Sequence, residues 1–95
     1  MMKFSFLITA LVGPRGESTQ ESFDIVVCTP KWLLSKYDET EIILGKNKLI
    51  VLKFDMERIL ARIKKLFENC EGKDWNEIAV RLSRIGHWEF ENYQG

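Results

Sequence analysis

The sequence predicts an α+β domain: an antiparallel sheet of about three to four strands with two main helices packed on one face. Three observations carry that expectation. Residues 3–12 and 22–28 have the spacing and composition of strands. Residues 56–70 and 75–85 repeat apolar side chains at helical spacing. The strands come before the long helices, an order that favours an antiparallel sheet covered by helices rather than alternating βαβ units.

In the first strand Phe4, Phe6, Ile8, Ala10 and Val12 alternate with Lys3, Ser5, Leu7, Thr9 and Leu11, so one face is strongly apolar and the other only partly so. Gly13-Pro14-Arg15-Gly16 stops it, and the polar run to Glu21 makes a loop too long for a tight hairpin. Ser22 to Cys28 is the second strand, antiparallel to the first and partly covered on both faces. Thr29-Pro30 ends it, with Thr29 as the cap of a short helix over Lys31 to Tyr37. Asp38 to Glu41 forms a solvated loop, Ile42 to Leu44 a short apolar piece, and Gly45 to Lys48 a turn.

Leu49 to Phe54 reads as a further strand. Asp55 then caps a long helix, with Phe54 and Ile59 at the two positions of a hydrophobic staple. Met56, Ile59, Leu60, Ile63, Phe67 and Cys70 form its apolar stripe, and Gly72 fits its end. Asp74 and Glu77 supply a capping box for the next helix, whose stripe is Trp75, Ile78, Ala79, Leu82 and Ile85 before Gly86 stops it. Residues 87–93 alternate aromatic and polar side chains, as a final strand or an extended packed segment would.

Ninety-five residues make one domain over residues 1–95, able to bury roughly two-thirds of the unfolded chain's surface without staples. Fourteen basic side chains balance fourteen acidic ones, which argues against a general nucleic-acid binder. The basic residues of the two helices, Arg58, Arg62, Lys64, Lys65, Arg81 and Arg84, are interleaved with acids as on a solvated face. The first twelve residues lack the charged flank and cleavage site of a signal peptide, and no apolar run reaches the ~20 residues of a membrane span. Cys28 and Cys70 lie in separate apolar settings and read as free thiols of a reducing cytoplasm.

Reaction chemistry finds little to work with. His87 is the only histidine, and pairing it with Cys28 would require a thiolate inside an apolar strand. No ligand spacing suggests a metal, no cofactor is expected, and Gly13 to Gly16 lacks the lysine and following helix of a phosphate loop. The aromatic residues are more suggestive. Trp75 and Phe90 suit a core, whereas Trp88, Glu89, Glu91 and Tyr93 mix large apolar surface with negative charge, a combination that anchors and steers a basic protein partner. The acidic loop residues Asp38, Glu39 and Glu41 are a second candidate contact. Whether the chain is a monomer or a homodimer stays open; a free edge on the Leu49–Phe54 strand would permit edge pairing.

Two stretches carry a likeness. ESFDIVVCTPKWL at 21–33, with the turn from Val12 to Glu17 before it, resembles the central motif of the immunity protein 8 family. Cys70, Gly72, Trp75 and Ile78, followed by RLSRIGHWEFENY at 81–93, resemble that family's C-terminal half. The likeness runs from about Phe4 to Tyr93. It implies a cytoplasmic bacterial protein of a polymorphic toxin system that binds and neutralises a cognate toxin domain stoichiometrically, without catalysis and without nucleic acid or membrane. The family resembled carries a segment ahead of the first strand, whereas this chain begins almost on the strand, so any contact made by that segment would be missing. The runner-up is a generic protein-protein interaction domain, or a subunit of another assembly.

Overall fold

The computed structural model describes residues 2–89. Strands and helices follow the order β1 (Ser5–Val12), β2 (Glu21–Cys28), α1 (Pro30–Lys36), β3 (Lys48–Ile50), α2 (Met56–Glu68), α3 (Trp75–Leu82) and β4 (His87–Trp88). The arrangement is α+β, with a four-stranded mixed sheet that is mostly antiparallel.

β2 is the centre of the sheet. β1 pairs along its whole length, Ser5 opposite Cys28 and Val12 opposite Glu21. The other side of β2 is shared: β4 takes its first half, with Phe23 opposite Trp88, and β3 takes its last residues. β3 runs parallel to β2 because α1 lies between them and a crossover of that length returns the chain in the same direction.

The strand expected over Leu49 to Phe54 is therefore shorter and displaced. Its last pair is Ile50 opposite Cys28, after which Val51 N–H donates to the Cys28 carbonyl at 2.9 Å. Beyond Cys28 the β2 chain leaves to begin α1 and offers no further ladder groups. Residues 52–53 then bend toward Asp55.

Helix caps follow the sequence closely. Thr29, Asp55 and Asp74 each adopt extended backbone and accept from the N–H three residues on. The capping box of α3 is modified: Glu77 accepts from Lys73 N–H, one residue before the cap. Phe54 sets its ring edge-on to Phe4 and Phe6, at centroid distances of 5.7 and 6.1 Å. The turn into β3 is held by Asn47 in the left-handed region, where asparagine is tolerated.

One face of β2, carrying Phe23, Ile25 and Val27, packs beneath α2 and α3 as two adjoining clusters. Phe23 and Trp88 group with Ala79 and Leu82; Ile25 and Val27 group with Ile59 and Ile63. Phe67 packs against both. Met56 and Leu60, expected within the buried stripe, are exposed. Leu60 stands about 100° of helical rotation from Ile59, on the flank of the stripe.

Two glycines act differently from expectation. α2 ends at Glu68 with Asn69 as its cap, and α3 ends at Leu82 with Ser83 as its cap. Neither Gly72 nor Gly86 is a helix terminator. Each is a point of close approach: a Cβ on Gly86 would meet Phe23 Cβ at 3.0 Å, and one on Gly72 would meet Glu77 and Ile78 at 3.1 Å.

Candidate functional site

Cys28 and His87 are not brought together. Cys28 is fully buried at the end of β2, and burial pushes its thiol pKa up, with the Lys48 ammonium pulling it partly back. His87 pairs in register with Asp24, four residues earlier on β2, which is about 13 Å along a strand. Asp24 accepts from the Thr9 hydroxyl at 2.7 Å. Cys70 is half-buried, its thiol likewise raised by burial and partly lowered by Arg81. Among the described residues no group of three histidine, cysteine or carboxylate side chains could hold a metal ion, and no helix is long and apolar enough to cross a membrane.

The acidic loop is built. α1 is capped at its end by Tyr37, whose N–H donates to the Leu33 carbonyl. Asp38 then closes a turn in which Thr40 donates twice to Asp38 Oδ1, from its N–H at 2.8 Å and its hydroxyl at 2.7 Å. Those two bonds hold the Asp38 carboxyl below its ordinary pKa. Glu41 Oε1 accepts from Asp38 N–H at 3.2 Å, so the loop folds back on itself. Asp38, Glu39 and Glu41 are all exposed.

These acids rim a groove whose apolar wall is Leu33, Leu34, Tyr37 and Ile43. Leu34 is 81% exposed, Ile42 fully exposed and Leu44 82% exposed. The apolar piece at Ile42 to Leu44 thus belongs to no strand or helix, and its side chains face water beside concentrated negative charge. Such a surface offers apolar contact at its centre and electrostatic steering at its rim.

The tail divides. Trp88 is a core residue, 5% exposed, stacked on Phe23 at a centroid distance of 6.2 Å with the rings 19° apart. Its ring is accounted for by packing. Glu89 is exposed at the end of the pairing with β2. Phe90, Glu91 and Tyr93 lie outside the described residues.

A second groove escaped sequence reasoning. It runs between β3 and α2, with Ile50 and Leu52 on one side and Lys53, Arg58 and Arg62 around it. Its lining follows residues 49–53, past Ile50 where β3 ends. Arg58 is tied to Asp55 at 3.6 Å, while on the same helix Lys64 meets Glu68 at 3.8 Å. The two grooves carry opposite charge although the chain as a whole is neutral.

A family model described as Immunity protein 8 matches residues 1–93. No curated protein and no solved structure matches the chain.

Proposed function

The chain belongs to the immunity protein 8 family, and from that premise we propose that it binds a cognate bacterial toxin domain stoichiometrically and neutralises it without catalysing a reaction. The observation that carries the reading is a family match extending over nearly the whole chain. The work is that of an inhibitor in the cytoplasm of the producing cell, performed by one domain without a cofactor, nucleic acid or membrane.

The contact surface proposed is the groove beside α1, with Asp38, Glu39 and Glu41 at its rim, Leu34 and Ile43 in its apolar wall, and the exposed Ile42 next to Ile43 in the chain. Its partner is a basic surface with an apolar centre. Charge at the rim raises the association rate, and desolvation of the leucine and isoleucines slows release. Glu89, Glu91 and Tyr93 form a second proposed contact, to which the Trp88 ring, buried against Phe23, does not contribute.

The test is co-expression with the toxin domain encoded beside this gene, scored by survival and then by co-purification. Rescue with a one-to-one complex supports the reading. A folded chain that neither rescues nor binds overturns it and favours an interaction module of another assembly.

A further inference from the structure

β1 lies at the edge of the sheet, and its hydrogen bonding defines what that edge offers. Thr29 N–H donates to the Phe4 carbonyl, so the residues of β1 that bond to β2 are Phe6, Ile8, Ala10 and Val12. Ser5, Leu7, Thr9 and Leu11 therefore turn their peptide N–H and C=O groups outward, where no described strand receives them. Their side chains lie on the face opposite the core, with Leu7 58% and Leu11 61% exposed.

Edges of this length are normally blunted by a charge, a proline or a bulge. Ser5 to Val12 contains no ionisable side chain and no proline, and its register with β2 is unbroken over eight residues. The outward side chains also read the same in both directions about Thr9: Leu7, Thr9, Leu11.

We propose that β1 pairs antiparallel with β1 of a second copy, about a two-fold axis at Thr9. That register sets Leu7 opposite Leu11 of the other copy, Thr9 opposite Thr9, and Leu11 opposite Leu7. All three are hydrogen-bonded pairs, because the paired residues are those with outward peptide groups. On the core face Ile8 meets Ala10 and Phe6 meets Val12, extending apolar contact across the axis. A two-fold interface must be self-complementary, and this edge meets the requirement in backbone bonding, side-chain matching and charge, since Ser5 to Val12 brings no ionised group against its copy. The inference is independent of toxin binding: the acidic groove beside α1 is built from other residues.

The experiment is mass measurement in solution over a dilution series, with amide exchange of Leu7, Thr9 and Leu11 followed at each concentration. The wild-type chain is expected to reach the mass of two chains, with those three amides slowing as it does. L7K/L11K places lysine opposite lysine and is expected to remain a single chain. L7K/L11E places lysine opposite glutamate at both ends and is expected to restore the pair. Circular dichroism establishes that each variant is folded; the wild-type exchange measurement stands without either. Single-chain mass at every concentration overturns the proposal, including the outcome in which the edge amides slow only when toxin is added. A pair that L7K/L11K leaves intact, or that L7K/L11E fails to restore, overturns it as well.

Discussion

Thr29 and Phe4 exchange two hydrogen bonds. Thr29 N–H donates to the Phe4 carbonyl at 3.1 Å, and Phe4 N–H donates to the Thr29 hydroxyl at 3.2 Å. The hydroxyl substitutes for a carbonyl that is already engaged, since Thr29 C=O accepts from Leu33 N–H at the start of α1. The same Oγ1 also accepts from Trp32 N–H at 3.2 Å. One fully buried side chain thus ends the β1–β2 ladder and caps the helix that follows.

Thr29→Val keeps the shape but strands two amide donors. It is expected to destabilise the fold by about 2 kcal/mol, read as a lower midpoint in urea unfolding. Thr29→Ser retains the acceptor and should recover most of that loss. Equal midpoints for Val and wild type would contradict the dual role.

Phe23 is fully buried, against Trp88 and edge-on to Phe67 at 6.1 Å. Phe23→Ala is expected to cost about 3–5 kcal/mol through lost burial and the cavity left behind. In a chain of this size that approaches the whole stability, so the variant should be largely unfolded by near-ultraviolet circular dichroism.

Gly86→Ala tests close approach rather than backbone freedom. Its added methyl meets both a side-chain and a backbone atom of Phe23, the latter at 3.2 Å, in a place where a core strand cannot yield easily. A destabilisation of about 1–3 kcal/mol is expected. A neutral result would show that β4 shifts away from β2 without penalty.

Both thiols have pKa values raised by burial, so folding favours the protonated form. Their contribution is fully present below the unfolded value of about 8.5 and is lost as pH rises through the folded values. Stability measured by urea unfolding should therefore fall above about pH 8.5. C28A/C70A should flatten that fall; an unchanged slope would assign it to other groups.

For the proposed toxin contact, E39K/E41K is expected to slow association and to weaken its dependence on salt, leaving dissociation nearly unchanged. Ile42→Ala and Leu34→Ala should instead speed dissociation, each weakening binding by about 1 kcal/mol or more. Tyr93→Ala is expected to do the same. Stopped-flow or surface binding kinetics would separate these effects, and wild-type kinetics in a folded E39K/E41K chain would remove the acidic loop from the contact.

The local rules of the chain were readable without coordinates. Thr29, Asp55 and Asp74 announce helix starts because a side-chain acceptor three residues before a free N–H is a purely local arrangement. Alternation in β1 and the line of Ile59 and Ile63 in α2 follow from the fixed repeats of strand and helix. The acidic loop could be named as a candidate contact, but the exposure of Ile42 could not, since an apolar residue reads as core until its neighbours are placed.

The sequence by itself thus determined the kind and order of the main elements, where the helices begin, and which strand face is apolar, all consequences of bonds and spacings within a few residues. Tertiary structure decided the parallel pairing and early end of β3, the burial of Trp88, the packing roles of Gly72 and Gly86, and the grooves beside α1 and β3. Each of those depends on where a distant segment ends. β3 stops because Thr29 takes β2 out of the sheet, and Trp88 is covered because β4 lands beside Phe23.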